Sequence, residues 1–367
     1  MNRDLQSIDE WSKAWLITFN ALKTESMLIT RKINPTDHPP LVFQEHRLVN
    51  VSSHKHLGLT FKNDLTWSQH VNSIVAKGNT LINIMKGLQY SLDRRTLETI
   101  YLSFVRPVLE YGSVVWDGCT QAEKDKIEKI QTAAARVVTG AMKGTSSLKL
   151  HEETGWQSLA ECRQNAKLIL MYKIVHNNAP SYLIDYIPQF PPTASNYSTR
   201  NRPSLYSFCA RTSLFDKSFF PSTIRLWNQL SNDVRNSPNV NLFKAKLRTV
   251  IKCPVRHNVL YNHGPRYWAI RHARLRMGCS GLNSHLFKIG VVASPLCQCC
   301  KAEEDEFHFF FICPRYTPIR LKLQNTVAEL APLTISTLLF GCENCSIDDN
   351  LLIFTAVQEF IKDSKRL

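Results

Sequence analysis

The sequence predicts a mainly α-helical protein with a small antiparallel β element near its N-terminus and a C-terminal region organised around cysteine and histidine. Three observations support this fold class. Short extended stretches are confined to the part of the chain before residue 66, and apolar side chains recur at helical spacing through most of the remainder. Four cysteines and a histidine crowd into the stretch CQCCKAEEDEFHFFFIC, residues 297–313. A chain of 367 residues has room for roughly two or three domains.

Residues 1–66 read as an α+β segment. Apolar side chains near the start recur at helical spacing: Leu5, Ile8, Trp11, Trp15 and Leu22. The stretch MLITRKI then reads as extended, and LVFQEHRLVNV and HKHLGLTF follow as short β segments. We therefore expect one helix followed by a small sheet at one end of a larger unit.

Residues 67–179 predict a helical bundle. From Trp67 onward the apolar period becomes helical, with one face marked by Val71, Ile74, Val75, Leu81, Ile84, Met85 and Leu88. Similar patterns predict helices over 94–112, 122–140 and 156–177, separated by turns that contain Asp93, Gly118 and Gly144.

Residues 180–203 are rich in proline and small polar side chains and predict a linker. We expect a basic connector over 204–290, which includes a helix around NLFKAKLRTVIK. The cysteine–histidine segment, 291–318, follows it and is called the knuckle here. The last segment covers 319–367. We expect two C-terminal helices, over 316–330 and 348–365, the first of which begins at the end of the knuckle. Asp348 and Asp349 fit the start of the final helix, where the helix dipole favours acidic groups.

The composition favours a folded, basic protein. The chain carries 45 lysines and arginines against 30 acidic residues, a formal net charge of +15. Such an excess favours polyanionic partners. No apolar run is long enough for a membrane span, and the N-terminus has no signal-peptide core, so no membrane partner is expected. The eleven cysteines have irregular spacing, which is typical of intracellular thiols rather than a disulfide framework; we expect a nuclear or cytoplasmic protein.

The basic charge is concentrated in one acid-free region. The 69 residues between Asp233 and Glu303 contain no aspartate or glutamate and twelve lysines or arginines. Arginines with interleaved aromatic rings suit nucleic acid, because guanidinium groups neutralise phosphates and exposed rings stack on unpaired bases. The candidate nucleic-acid-binding residues here are Arg266, Trp268, Arg271, Arg274 and Arg276. The alternative is a solvated basic face with Tyr267 and Trp268 packed into the core.

The knuckle contains the spacing C-x2-C-x7-H-x4-C. Its candidate metal ligands are Cys297, Cys299, Cys300, His308 and Cys313. Thiolate and imidazole are the ligands that zinc prefers, and four of them fill a tetrahedral coordination sphere, so a structural zinc is expected. Either Cys299 or Cys300 could be the second metal ligand. The alternative is a set of reduced, buried cysteines beside a core histidine.

The sequence offers no evident catalytic group. Paired metal-binding carboxylates of a polymerase hairpin, a phosphate-binding loop, an HExxH pair and a G-x-S-x-G elbow are all missing from it. We therefore identify no catalytic residues and expect no small-molecule substrate and no enzymatic activity of this chain on its own. A non-catalytic scaffold, or a protein-interaction module with a basic surface, remains the alternative to a nucleic-acid-binding protein.

Several segments resemble the reverse transcriptases of non-LTR (LINE-type) retrotransposons, jockey-like elements in particular. The region just after the catalytic aspartates of that family is similar to DEWSKAWLITFNALKTESMLI. The region that follows is similar to HKHLGLTFKNDLTWSQHV, IYLSFVRPVLEYGSVVWDG and IEKIQTAAARVVTG, and the terminal zinc knuckle to RLRMGCSGLNSHLFKIGVVASPLCQCC and EFHFFFICPRY. The resemblance follows the family order over nearly the whole chain.

The resemblance implies a truncated RNA-directed DNA polymerase. The end of the palm, the thumb, the connector and the zinc knuckle would be present, whereas the endonuclease and the polymerase active site would lie upstream of Met1. These parts would contact RNA or DNA and the upstream polymerase segment. Trp15, Asn20 and Lys23 match the family's W…FN..K pattern, which implies that Lys23 lies near nucleic acid. Relatives with C-x-C-G at the knuckle would make Cys299 the ligand.

Overall fold

The computed structural model describes residues 1–34, 37–189, 204–250 and 259–367. The described chain is predominantly helical with short strands near the N-terminus, which confirms the predicted fold class. Most of the predicted proline-rich linker, from residue 190 to residue 203, lies outside the described residues. Residues 251–258 of the acid-free region, with Lys252 and Arg256, also lie outside them.

The N-terminal part combines one helix with three small ladders. Helix α1 spans Asn2–Ala14. The strands are β1 (Glu25–Ser26), β2 (Val42–Phe43), β3 (His46–Arg47), β4 (Val49–Asn50), β5 (Ser53–His56) and β6 (Leu59–Lys62). β2 and β3 pair antiparallel, as do β5 and β6. β1 and β4 form a parallel pair, which the sequence did not predict.

The turn between β5 and β6 explains the glycine of the HLGL stretch. Leu57 and Gly58 both have positive φ, 45° and 83°, the combination that a two-residue type I′ hairpin requires. A Cβ at Gly58 would lie 3.0 Å from the ring of Tyr111, whose hydroxyl donates to the Leu57 carbonyl at 2.9 Å. The hairpin is thereby fixed to the helical bundle that follows.

The helical bundle begins at Ser68. Its helices are α2 (Ser68–Leu88), α3 (Arg94–Ile100), α4 (Arg106–Glu110), α5 (Ser113–Trp116), α6 (Gln121–Thr139) and α7 (Ser147–Thr154). A π-helical segment, Tyr101–Val105, joins α3 to α4. The helix predicted over 94–112 is therefore interrupted, because Pro107 lacks a backbone N–H and Gly112 turns the chain with φ +60°. α2 and α6 enclose the first core around Val71, Met85 and Ala134.

A second core joins residues from both sides of the predicted linker. Its helices are α8 (Leu159–Val175), α9 (Ser213–Lys217), α10 (Phe219–Gln229), α11 (Asn232–Arg235) and α12 (Val240–Val250). Met171 and Tyr172 of α8 pack against Ile224 and Trp227 of α10 and Phe243 of α12. The chain on either side of the predicted boundary thus shares one core.

The C-terminal part forms a third core. Its helices are α13 (Arg266–Arg276), α14 (Asn283–Lys288), α15 (Thr317–Ala328), α16 (Ile335–Phe340) and α17 (Ile347–Ser364). Leu275 of α13 belongs to this core, whereas Ala273 and Met277 belong to the first. α13 therefore packs between the first core and the third core. Within the described ranges, no helix combines the length and the apolar character that a membrane crossing needs.

Candidate metal centre and basic helix

Four side chains of the knuckle converge on one point. One ligand atom each of Cys297, Cys300, His308 and Cys313 lies within 4.8 Å of all the others. The sulfurs of Cys297 and Cys313 are 3.8 Å apart, and the Cys300 sulfur is 2.9 Å from Nε2 of His308. Ligand atoms about 2.3 Å from a tetrahedral ion lie roughly 3.8 Å from one another, so the donor set suits a metal such as zinc.

A tight turn selects between the two neighbouring cysteines. Leu296 and Glu303 form an antiparallel bridge, and the Cys297 N–H donates to the Ala302 carbonyl at 2.7 Å. Lys301 closes the turn with φ +59°. Inside this turn Cys300 points toward His308, whereas Cys299 is exposed. The geometry therefore favours the C-x2-C spacing, with Cys300 as the second ligand.

A widened helical turn brings His308 and Cys313 together. His308–Ile312 is a π-helical segment, and the Cys313 N–H donates to the His308 carbonyl at 3.0 Å. In an ordinary α-helix with about 3.6 residues per turn, residues five positions apart are rotated by about 140° and face different sides. The five-residue hydrogen bond places them one turn apart instead, a type of bulge that is frequent at functional sites.

The protonation of these thiols depends on burial and on nearby backbone donors. Burial raises the pKa of Cys313 to about 12. Burial also opposes ionisation of Cys297, but hydrogen bonds from the backbone N–H groups of Cys300 and Cys299 and from the side chains of Cys313 and Cys300 together lower its pKa. The Nδ1 atom of His308 is buried and has no hydrogen-bond partner among the described residues, unlike most metal-binding histidines. With four protein ligands a bound ion has no open position, so the centre suits a structural role.

Two arginines attach the centre to the C-terminal helices, one of them buried and the other partly buried. Arg320 of α15 donates to the carbonyl oxygens of Phe310 and Cys313 at 2.7 and 2.6 Å. Arg366, just after α17, pairs with the buried carboxylate of Glu304 at 2.5 Å and also donates to Asn283. Phe309 and Phe310 are fully buried beside Phe360 of α17. The phenylalanines of the knuckle thus form part of the third core.

Arg276 of the basic helix is internal. Its side chain is 2% exposed, and it forms a bidentate pair with Glu153 at 2.8 and 3.0 Å. Arg94 bonds the same carboxylate at 2.6 Å. Burial alone would raise the pKa of Glu153, but the guanidinium groups of Arg276 and Arg94 overcome this effect and lower it. This triad joins α3, α7 and α13, a role different from the exposed phosphate contact that the sequence predicted for Arg276.

Two more arginines of α13 bond backbone carbonyls of the bundle. Arg266 donates to the carbonyls of Gln89 and Val137 at 3.1 and 2.8 Å, and Arg274 donates to that of Gly140 at 2.8 Å. Burial lowers the pKa of Arg266 to about 10. These guanidinium groups hold α13 on α6 and on the end of α2, so the structure gives them internal partners where the sequence predicted an exposed basic face.

The remaining candidates lie nearer the surface. Arg271 is half-buried and stacks on the exposed ring of Tyr267, 3.3 Å from its centre, while Trp268 packs edge-on against Tyr267 and partly into the third core. Lys23 is exposed at the end of a single 3-10 turn, where the Asn20 side chain accepts its backbone N–H. A direct role of these residues in nucleic-acid contact stays a prediction. Sequence patterns gave no signal for Glu153 and Glu304, because their partners are distant in sequence.

The chain is similar to several curated retrotransposon polymerases. It is 28% identical over 39% of its length to the probable RNA-directed DNA polymerase from transposon X-element of Drosophila melanogaster. It is 23% identical over 43% of its length to the corresponding protein of transposon BS of the same species. The RNA-directed DNA polymerase from mobile element jockey of Drosophila funebris is 26% identical over 37% of the chain.

The similarity covers a small part of each relative. The matched regions span 16%, 18% and 15% of the X-element, BS and jockey proteins. No family model matches the chain.

Proposed function

We propose that this chain, whose homologues are RNA-directed DNA polymerases of jockey, X-element and BS retrotransposons, is a nucleic-acid-binding part of such a polymerase. It would bind RNA or DNA, while another polypeptide segment supplies the polymerase carboxylates and the endonuclease. The convergence of four metal-binding side chains at the knuckle carries this proposal. It gives the basic C-terminal region a rigid centre, which a phosphate-binding surface needs.

We infer that zinc occupies the centre. Three sulfurs and one imidazole nitrogen are the donor set of many structural zinc sites, and four protein ligands fill a tetrahedral coordination sphere without a reacting water. When bound, the ion supplies a fixed crosslink between the turn at Cys297 and the π-helical segment at His308. Two contacts then attach this crosslinked unit to the C-terminal helices. Arg320 joins it to α15, and Glu304 joins it to the end of α17.

Exposed basic side chains on the knuckle and at the adjoining end of α14 support a polyanion contact. Lys301 is exposed within the metal-binding turn, Arg315 is exposed two positions after Cys313, and Lys288 is exposed at the end of α14. Asn283 joins α14 to this turn by donating to the Leu296 carbonyl at 2.8 Å. The exposed ring of Phe287 lies next to Lys288 in the chain and is available for base stacking. Arg271, stacked on Tyr267, and Lys23 would add phosphate contacts elsewhere on the molecule.

The N-terminal part supports a contact with a further polypeptide segment. Large apolar side chains are exposed on and after α1, including Leu16 at 93% and Ile33 at 97%. Trp11 and Trp15 are exposed as a ring pair with centres 6.3 Å apart. An apolar surface of this kind is typical of an interface. The upstream polymerase segment of the retrotransposon protein is the partner we propose for it.

Nucleic-acid binding is tested by charge reversal at the knuckle and at the adjoining end of α14. The triple variant Lys288→Glu, Lys301→Glu and Arg315→Glu should bind single-stranded RNA at least about tenfold more weakly than the original chain. Its plot of log affinity against log salt should also be shallower by about 2 to 3, because each lost phosphate contact removes nearly one released counterion. Fluorescence anisotropy at several salt concentrations measures both quantities.

The matched control reverses Lys77 on α2 and Lys126 and Lys129 on α6, which are also exposed. This control changes the net charge equally and should keep most of the affinity and the salt slope. Equal losses in both variants would show that total charge, not the knuckle, governs binding. RNA affinity independent of salt would contradict the proposal, and primer extension by the isolated chain would contradict its non-catalytic part.

A further inference from the structure

A pair of cysteines outside the metal centre occupies the turn before α17. Cys342 and Cys345, in the stretch GCENCS, are both free and partly exposed. The Cys345 N–H donates to the Cys342 carbonyl at 3.2 Å, which closes a β-turn. The Cα atoms at the ends of a β-turn lie within about 7 Å. A disulfide needs a Cα separation of about 4.4–6.8 Å, so the turn already has the required span.

A buried asparagine holds this turn in place. Asn350 of α17 accepts the Cys342 N–H at 2.7 Å and donates to the Cys342 and Cys345 carbonyls at 3.0 and 3.4 Å. Its side chain is 5% exposed. Gly341, with φ +88°, lets the backbone approach, since a Cβ there would lie 2.7 Å from the Asn350 side-chain oxygen. The positions of both cysteines are thus fixed by the fold rather than by a bond between their sulfurs.

The Cys345 thiol donates to the Leu330 carbonyl at 3.4 Å and lies within reach of the Cys342 side chain. A hydrogen bond with the Cys342 side chain, followed by burial, raises the pKa of Cys345. Among the described residues, the knuckle cluster forms the single group of three or more cysteine, histidine or acidic side chains that suits a metal ion. Cys342 and Cys345 are not part of such a group. The pair therefore has the geometry of a dithiol rather than of half a metal site.

Other cysteines outside the knuckle have different surroundings. Burial raises the pKa of Cys119 to about 11 and that of Cys162 to about 12, which disfavours the reactive thiolate. Cys279 is buried, and Cys209 is exposed without a second cysteine nearby in the chain. Partial exposure together with a neighbouring thiol distinguishes Cys342 and Cys345 from these four.

We propose that Cys342 and Cys345 form a redox-active dithiol site that a small disulfide, such as glutathione disulfide, oxidises to a disulfide within the turn. The Cys342 thiolate attacks one sulfur of the oxidant, the S–S bond of the oxidant breaks, and one glutathione thiolate leaves. The Cys345 sulfur then attacks the protein sulfur of the mixed disulfide and releases the second glutathione. The two protons of the cysteines end on the two glutathione thiols, and the two electrons reduce the oxidant.

This proposal is independent of the proposed nucleic-acid function, and the sequence makes its test specific. Trypsin cleaves after Lys322 and Lys362, so both cysteines fall on one peptide, 323–362, which contains no other cysteine. The knuckle cysteines fall on two other peptides, 289–301 and 302–315. Mass spectrometry therefore measures the oxidation of Cys342 and Cys345 separately from oxidation of the knuckle cysteines.

The experiment equilibrates the zinc-loaded full chain in glutathione redox buffers, blocks free thiols by alkylation and digests the protein. We expect peptide 323–362 to lose two hydrogens and to escape alkylation as the buffer becomes oxidising. The Cys345→Ser variant should instead accumulate a mixed disulfide with glutathione at Cys342, and the Cys209→Ser variant should behave like the original chain. Two alkylated thiols in peptide 323–362 under oxidising conditions, or a lasting mixed disulfide in the unsubstituted chain, would overturn the proposal.

Discussion

Replacing Cys313 with serine or His308 with alanine should unfold the knuckle and release the proposed zinc. Metal binding contributes about 10–16 kcal/mol of apparent free energy in small zinc-finger peptides, because the binding free energy is also folding free energy. The knuckle here is also packed on α15 and α17, so we expect a loss of several kcal/mol, localised in the third core. Hydrogen exchange should show faster amide exchange in residues 291–328 of either variant, with the bundle core of α2 and α6 largely protected.

A matched control for this prediction is Cys209→Ser, because Cys209 is exposed and remote in sequence from the centre. Its exchange pattern should equal that of the original chain. Treatment of the original chain with a zinc chelator should reproduce the pattern of the His308→Ala variant. Unchanged protection of residues 291–328 in both substituted chains would show that the third core holds the knuckle without a metal.

Replacing Glu153 with alanine should cost about 3–5 kcal/mol of folding free energy. The substitution removes the carboxylate that Arg94 and Arg276 share at 2.6 to 2.8 Å and leaves two cationic groups buried without it. α3, α7 and α13 meet at this carboxylate, so the loss should weaken the packing of α13 on the bundle, which Arg266 and Arg274 also support. Chemical denaturation followed by circular dichroism measures the change. The neighbouring Glu152→Ala variant is the control, because Glu152 is exposed and should change the free energy by about 0.5 kcal/mol or less.

The Glu153 carboxylate should also make the folding free energy depend on pH in a definite direction. The pKa of Glu153 is lower in the folded protein than in the unfolded chain, since the two arginines outweigh the effect of burial. Its contribution is therefore fully present above the unfolded pKa, about 4.3, and disappears as the pH falls from there through the folded pKa. The stability difference between the original chain and Glu153→Ala should shrink over that acidic range. A difference that grows on acidification would contradict the assigned direction.

The sequence predicted local structure better than side-chain partners. The final helix starts near Asp348 and Asp349 as expected, and Ser346 with Asp349 forms a capping box there. The helix predicted over 122–140 is α6 almost to the residue, because Thr120 caps its start and Gly140, with φ +70°, ends it. Capping residues and periodicity are local signals, which explains this agreement.

Long-range partners explain the differences. Arg266 bonds the carbonyl of Gln89, which is 177 positions earlier, and Arg276 bonds Glu153, 123 positions earlier. The acid-free stretch predicted exposed arginines because its own composition offers no counter-ion. The acidic partner lies on α7, in another part of the chain, and the remaining partners are backbone carbonyls, which composition cannot show.

The convergence of cysteine and histidine side chains at the knuckle follows in part from the sequence. Spacing alone identified the histidine and the cysteines, since each ligand lies within a short segment. Spacing did not separate Cys299 from Cys300, because adjacent residues differ only in the direction of their side chains. The bridge between Leu296 and Glu303 and the left-handed conformation of Lys301 determine that direction. The π-helical turn after His308 had no signal in the sequence.

Zinc content of two single variants tests the central claim most directly. Freshly reduced protein, purified without added metal and measured by elemental analysis, should contain about one zinc per chain, as expected for a closed four-ligand site. Cys299→Ser should keep that zinc, and Cys300→Ser should lose most of it, because Cys300 faces His308 and Cys299 is exposed. Zinc retained in Cys300→Ser and lost in Cys299→Ser, or absent from the unsubstituted chain, would contradict the arrangement described here.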